Sequence, residues 1–136
     1  MPLTEDFPAT GWTIRAIEQR RVRLGGLHEG RPADRWLERS FILTPETLIA
    51  DWPVADFAAL RAANLAVLLT TGADLILLGT GERQRFPPPA LLVPFSRQGI
   101  GCEVMTSAAA CRTYNVLAAE GRAVAAAVIM EPLKDR

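Results

Sequence analysis

Histidine and cysteine are scarce in this chain of 136 residues, which holds one histidine, His28, and two cysteines, Cys102 and Cys111. A closed structural zinc site needs a full set of such ligands at short spacings, and these residues do not have that spacing. A single histidine in a predicted loop also leaves no Ser-His-Asp triad to assemble. The sequence therefore predicts no metal site and no cofactor, and it identifies no catalytic residue.

An excess of charge of either sign is also absent, because 15 basic residues balance 15 acidic residues. Without a basic run, no nucleic-acid partner is expected. The apolar runs are too short to cross a membrane, and residues 1–6 lack the basic and apolar parts of a signal peptide. We therefore expect no membrane insertion and a cytoplasmic location, in which both cysteines are reduced.

The hydrophobic content, in contrast, is high at 49%. A chain of this length buries about two-thirds of the surface that its unfolded state exposes, which is enough for one core. We therefore expect a single domain over residues 1–136. The composition leaves the oligomeric state open.

Alternating apolar and polar residues indicate antiparallel strands in the first third of the chain. The strands are predicted over residues 12–24, 36–43 and 48–52. Gly25 and Gly26 end the first strand, and the polar residues 27–34 are predicted to form a loop. The Thr-Pro-Glu-Thr sequence at 44–47 favours a turn, which makes the last two strands a hairpin.

After Pro53, helices and strands alternate. One helix begins after its cap, Asp56, and stops at Gly72. The later elements are predicted as strands over 74–78, 101–105 and 123–130 and helices over 90–97 and 107–120. This alternation implies parallel strands with right-handed crossovers. The sequence therefore predicts an α/β fold of three layers, a central mixed sheet with helices on one face and an antiparallel β layer on the other.

A glycine loop, Gly79-Thr80-Gly81, follows the predicted strand at 74–78. The dinucleotide-binding fingerprint needs Gly or Ala at position 84, where the chain has Gln84, and a helix that the three prolines at 87–89 prevent. A P-loop is excluded because no Gly-Lys-Ser/Thr sequence follows. The loop therefore indicates a close backbone approach without a conventional nucleotide fold.

A crevice is expected where the strands at 74–78 and 101–105 end, because α/β sheets bind ligands beyond the carboxyl ends of parallel strands. The next helix would direct free N–H groups into this crevice and favour an anion such as a carboxylate or phosphate. The candidate ligand-binding residues are Gly79, Thr80, Gly81, Arg85, Thr106, Ser107 and Arg112.

A structural interpretation of the same residues is also open. The glycines would then only turn the chain, and Thr113 and Asn115 would hydrogen-bond to the glycine loop and fix it. Glu82 and Glu103 would be an acid–base pair in an enzyme, or the partners of nearby arginines in a structural site. Cys111 is interpreted as a packed core residue, since cysteine is so often buried.

Four segments of the chain, residues 77–81, 86–88, 99–105 and 113–122, resemble a family of small single-domain proteins of unknown function. That family includes a mitochondrial respiratory complex I assembly factor and an adipogenesis-associated protein. The resemblance is strong from 74 to 129 and weaker before Pro53. It implies the three-layer fold and a role as an assembly partner, and it supplies no catalytic residue. Relatives often have Asp-Thr where this chain has Thr106-Ser107, which removes a carboxylate from the expected crevice.

Two functions therefore remain open. The first is a non-enzymatic binding module that assists the assembly of a protein complex through a protein partner. The second is a binder of a small anionic ligand, or an enzyme, that uses the crevice at Gly79–Gly81 and the start of the helix at Ser107. A single short domain without a catalytic set favours the first.

Overall fold

The central sheet is built from the most apolar segments of the chain, because its inner strands are covered on both faces. The computed structural model describes residues 12–18 and 20–131, so the predicted lead-in at 1–11 lies outside the described residues. The strands are β1 (Trp12–Ile17), β2 (Val22–His28), β3 (Arg31–Leu37), β4 (Phe41–Leu43), β5 (Leu48–Ile49), β6 (Leu75–Gly79), β7 (Gly101–Met105) and β8 (Val124–Val128). The helices are α1 (Ala62–Ala66), α2 (Val93–Arg97) and α3 (Ser107–Ala119), with 3-10 segments at Phe57–Ala59, Val67–Thr70 and Pro89–Leu91.

The five strands of the central sheet lie in the order β5-β4-β8-β6-β7. β6 is parallel to both of its neighbours, β7 and β8, whereas β4 is antiparallel to β8 and β5. β8 is fully buried and has the sequence Val-Ala-Ala-Ala-Val. Its small side chains let the layers on both faces come close to the middle of the sheet. The strands predicted after Pro53 thus correspond to β6, β7 and β8.

The first three strands form a separate antiparallel sheet with β2 in the middle. In its register, Val22 lies opposite Leu37 and Leu24 lies opposite Ile14. All four side chains are buried and point toward the central sheet. Because strand residues alternate between faces, the residues between them point away from the core.

Two hydrophobic cores flank the central sheet. One core joins Phe41 and Leu77 of that sheet to the three-stranded sheet and to Tyr114 of α3. The other packs Ile76 against the short helices, including Leu65 of α1. The predicted three-layer α/β fold is confirmed. The structure adds that the longest helix, α3, lies on the same face as the antiparallel β layer.

Several local predictions in the first third of the chain are wrong. The strand predicted over residues 12–24 is two antiparallel strands, β1 and the start of β2. Gly25 and Gly26 do not end a strand, since β2 continues through both, and residues 27–34 form the end of β2, a turn and the start of β3. The side chain of Arg15 packs over Gly25, where an added Cβ would lie 2.7 Å from the Arg15 Cγ. The predicted strand at 36–43 is divided, because Leu37 belongs to one sheet and Phe41 to the other.

The helix predicted after Asp56 is shorter than expected. The Asp56 side chain accepts a hydrogen bond from the Ala59 N–H, but it caps only a 3-10 turn. Leu60 then has an extended backbone, and α1 begins at Ala62. Among the described residues, no helix combines the length and the apolar character needed to cross a bilayer.

Replacing Ile76 with alanine tests the central position of β6. Ile76 is on β6, which lies between β7 and β8, and its side chain is fully buried. The change therefore leaves a cavity and should lower the free energy of unfolding by about 2–5 kcal/mol. Val116→Ala is the matched control, because Val116 is 57% exposed on α3 and its loss should stay within about 0.5 kcal/mol. Chemical denaturation measures both. A loss below about 1 kcal/mol for Ile76→Ala would contradict the packing of this strand.

Candidate functional site

The end of β6 is fastened to the start of α3 through Ser107. The Gly81 N–H donates to the Ser107 hydroxyl at 2.8 Å, and the Ser107 N–H donates to the Gly81 carbonyl at 2.9 Å. The Ser107 hydroxyl donates in turn to the Ile129 carbonyl at 2.6 Å, just past β8. One buried hydroxyl therefore joins the glycine loop, α3 and the end of the central strand.

Glycine is required at both ends of the loop for different reasons. At Gly79 an added Cβ would lie 2.8 Å from the Ser107 Cα, so only glycine lets α3 approach β6 this closely. Gly81 has φ of +101°, a conformation that residues with side chains rarely adopt. An added Cβ at Gly81 would also collide with the Glu131 carboxylate. The predicted close backbone approach is therefore made to the protein itself.

Thr80 holds the segment that follows the loop. It is fully buried, and its N–H donates to the Met105 carbonyl at 2.9 Å, at the end of β7. Its hydroxyl donates to the Arg83 carbonyl at 2.7 Å and accepts from the Arg85 N–H at 3.1 Å. Thr80 thereby fixes the backbone on which Arg85 is mounted.

Arg85 forms an ion pair with Glu131, and both side chains are only partly buried. Its Nη2 lies 2.7 Å from Glu131 Oε1 and donates to the Thr80 carbonyl at 2.7 Å. The other Glu131 oxygen accepts from the Phe57 N–H at 3.0 Å, and the guanidinium lies 4.9 Å from the centre of the Phe57 ring. The sequence reasoning missed Glu131. The only signal for it was its position, three residues past the end of β8, a strand that is parallel to β6 and ends beside the glycine loop.

The N-terminus of α3 is also capped internally. The Thr106 hydroxyl accepts from the Ala109 N–H at 3.1 Å, and the Thr106 carbonyl accepts from the Ala110 N–H at 2.9 Å. The Ser107 N–H is bound to Gly81, so the Ser107, Ala109 and Ala110 N–H groups all have partners within the protein. Thr106 and Ser107 thus act as the cap and the anchor of the helix.

A pocket of about 270 Å³ lies beside this junction. Its lining residues are Ile17, Glu18, Gly81, Glu82, Ser107, Ala108, Ile129, Met130 and Glu131. Apolar side chains thus meet three carboxylates there. Of the predicted site residues, only Gly81 and Ser107 line the pocket. Gly79, Thr80, Arg85 and Thr106 lie at the adjoining junction, and Arg112 is exposed on α3. In the part of the chain that is described, His, Cys, Asp and Glu side chains form no group of three or more able to hold a metal ion.

Asn115 has a different role from the one expected for it. Its side chain binds the backbone of Ile14 twice, accepting from the N–H at 3.0 Å and donating to the carbonyl at 2.5 Å. Asn115 therefore joins α3 to β1, not to the glycine loop. Glu103 is exposed on β7 and does not line the pocket, whereas Glu82 does.

Both cysteines lie in environments that disfavour a thiolate. Burial raises the pKa of Cys111 to about 12, and the nearby Arg112 charge opposes this rise only in part. Burial also raises the pKa of Cys102 to about 11, and the Glu103 carboxylate adds to the rise. Burial raises the pKa of the Tyr114 hydroxyl as well. These groups stay protonated at neutral pH, so the thiols are poor nucleophiles.

The fold and this junction define a small α/β domain whose glycine loop is closed onto its own helix. The family model described as a protein of unknown function, DUF498/DUF598, matches residues 14–129. The chain therefore belongs to this family, and the resemblance seen in the sequence is confirmed.

Three relatives illustrate the family. The NMR structure of a Xanthomonas campestris protein has a TM-score of 0.79 and 41% identity and covers 100% of this chain and 97% of that chain. The 13 kDa major membrane protein of Francisella tularensis is 34% identical over 56% of this chain and 62% of its own length. The NADH dehydrogenase (ubiquinone) 1 alpha subcomplex assembly factor 3 of Xenopus tropicalis is 31% identical over 60% of this chain and 45% of its own length. This chain thus spans less than two thirds of these two curated relatives.

Replacing Gly81 with valine tests the closed junction. The left-handed backbone should cost about 1–3 kcal/mol, and the displaced Glu131 carboxylate should add to that loss. Gly99→Val is the matched control, because Gly99 has φ of +72° but no atom within 4 Å of the added Cβ. Chemical denaturation of both variants separates backbone strain from the collision. An equal or smaller loss for Gly81→Val would show that Glu131 does not restrict this position.

Thiol reactivity tests the burial of the two cysteines. In the folded protein both should react with Ellman's reagent far more slowly than free cysteine, and both should react fully once denaturant is added. Because the folded pKa values of about 11 and about 12 exceed the ordinary 9.0, folding retains the thiol protons. This contribution to stability is complete below pH 9.0 and is lost as the pH rises through the folded values. Rapid labelling of either thiol in the folded state would contradict the assignment.

Proposed function

We propose that this protein is a non-enzymatic binding module that assists the assembly of a protein complex in the cytoplasm. The observation that carries the proposal is the internal pairing of the junction. Thr80, Arg85 and Ser107 each bond to groups of the protein itself. Side chains that are hydrogen-bonded within the protein hold its surface in one shape. Catalysis, in contrast, needs polar groups that are free to contact a substrate.

The relatives support the same class of function. Assembly factor 3 of Xenopus tropicalis is named for its role with NADH dehydrogenase, and it shares 31% identity with this chain. We transfer only the general role, assistance in protein-complex assembly. The particular complex in this cell is left to experiment.

The pocket gives this module a contact point. Ile17, Ala108 and Met130 provide apolar walls, and Glu18 and Glu82 are exposed carboxylates at its rim. A partner side chain with an apolar stem and a basic tip fits this combination, since lysine and arginine bury their stems and keep their charge near acids. We propose that a partner inserts such a side chain here.

The alternative function, binding of a small anionic ligand in the crevice, has less support. Arg85 is already paired with Glu131, and the carboxylates Glu18, Glu82 and Glu131 line the pocket. A bound anion would meet like charges at short range, which is unfavourable. An enzymatic function that used Thr80, Arg85 or Ser107 would need these groups to be released from their present partners.

Filling the pocket tests the proposed function. Ala108 lines the pocket, so Ala108→Trp should block it, whereas Ala119→Trp places the same bulk at the exposed end of α3. Each variant is expressed with a tag in the native cell, and the proteins recovered with it are quantified by mass spectrometry. We expect Ala108→Trp to lower the recovery of the subunits of one complex about tenfold, equivalent to about 1.4 kcal/mol of binding free energy.

Two results would contradict this proposal. One is recovery of the same subunits at wild-type levels with Ala108→Trp, provided that circular dichroism shows the variant to be folded. The other is a small molecule that is purified with the wild-type protein in a fixed ratio and is lost from Ala108→Trp. The second result would favour the small-ligand alternative.

A further inference from the structure

The outward face of the three-stranded sheet carries an unusual group of side chains. Val22 and Leu24 of β2 point into the core, so Arg23 between them points outward. Trp36 lies opposite Arg23 in the register and is 41% exposed. One face of this sheet is therefore hydrophobic and buried, and the other face carries a neighbouring arginine and tryptophan.

Arg15 lies on the same face, in the space that a glycine leaves open. Gly25 has no side chain on the outward side of β2, and the Arg15 side chain occupies that space, with its Cγ 2.7 Å and its Nε 2.8 Å from where a Cβ would be. The Arg15 side chain thus lies over Gly25 on the outward face of the sheet and remains exposed.

Arg21 is placed by stacking. Its guanidinium carbon lies 3.9 Å from the centre of the Trp36 ring, and its Nε donates to Glu18 at 2.9 Å. The cation–π contact orders both side chains while leaving them partly exposed. Arg15, Arg21, Arg23 and Trp36 together make the arginine–tryptophan face.

The charge of this face is positive although the whole chain is neutral. The three arginines meet two nearby acids, Glu18 and Asp34, and the Arg23–Asp34 distance is a long 3.4 Å. Arginine and tryptophan are the residues most enriched at the energetic centres of protein interfaces. The planar guanidinium groups also match carboxylates, which they bind through two parallel hydrogen bonds.

We propose that the arginine–tryptophan face docks an acidic segment of a protein partner. This inference rests on the proposed function and names the surface and the chemistry of the partner. The acids within the face favour a peptide over a phosphate backbone or an anionic bilayer. A peptide places its carboxylates at separate positions and avoids Glu18 and Asp34, whereas a continuous array of phosphates cannot.

The test uses the full chain and a fluorescein-labelled peptide in which glutamate alternates with leucine. The reference peptide has glutamine in place of every glutamate. Fluorescence anisotropy should show that the acidic peptide binds more tightly than the reference, and added salt should weaken its binding. Arg15→Glu with Arg23→Glu should weaken the acidic peptide about tenfold or more. Gly25→Ala, which displaces the Arg15 side chain without changing the charge, should give a smaller loss in the same direction.

Arg112→Glu with Arg122→Glu is the matched control, because it makes the same change of net charge at exposed positions of another face. That variant should bind the acidic peptide within about twofold of wild type, as expected for charges on a distant surface. Equal loss in both double variants, or equal binding of both peptides, would overturn the proposal. Binding of phosphatidylglycerol vesicles or a single-stranded RNA that depends on Arg15 and Arg23, without peptide binding, would also overturn it.

The same variants separate this inference from the proposed function. In the native-cell purification, Arg15→Glu with Arg23→Glu should lose the subunits that Ala108→Trp loses. Retention of those subunits by the face variant, with their loss from Ala108→Trp, would leave the proposed function in place and place the docking surface elsewhere. Retention by both folded variants would contradict both.

Discussion

The arrangement of the domain depends on the hydrogen bonds of the Ser107 hydroxyl. It accepts from Gly81 and donates to Ile129, so it ties the end of β6, the start of α3 and the end of β8 at one buried point. A buried polar group is costly unless it is hydrogen-bonded, and here both partners are backbone groups that would otherwise lack one. Glutamate 131, two residues past Ile129, is therefore held where it meets Arg85. The Arg85–Glu131 pair therefore depends on the junction that Ser107 makes.

The pairing of Arg85 with Glu131 changes how the junction is understood as a functional site. A glycine loop beside a helix N-terminus is a common way to bind phosphate, and it works because the donors are free. In this protein the Gly81 carbonyl and the Thr106 hydroxyl accept from the Ser107 and Ala109 N–H groups of the helix terminus, and the Glu131 carboxylate pairs with Arg85. The same geometry holds in place the two surfaces that we propose as binding sites, the pocket rim and the outer face of the three-stranded sheet.

The sequence predicts most of the fold and only part of the site, for physical reasons. The strands β6, β7 and β8 were predictable because their apolar runs and flanking glycines are local signals. The prediction that a strand ends at Gly25 was wrong because the Arg15 side chain of the neighbouring strand covers this glycine. Local sequence propensity carries no information about such a contact between strands. The Arg85–Glu131 pair joins residues 46 positions apart, so only the parallel order of β6 and β8 brings them together. Arg112 has the expected residue type but lies on the wrong side of α3 for the pocket.

The position of β8 has a consequence for how the chain folds during synthesis. β8 is the last described strand along the chain, yet it lies in the middle of the central sheet, between β4 and β6. Until residues 124–128 have left the ribosome, β4 and the β6–β7 pair cannot be joined, and each presents an open apolar edge. Closure requires contacts between distant parts of the chain, which makes folding slow and exposes the nascent protein to edge-to-edge aggregation. A domain proposed to help other proteins assemble therefore completes its own central sheet only after residues 124–128 have been synthesised.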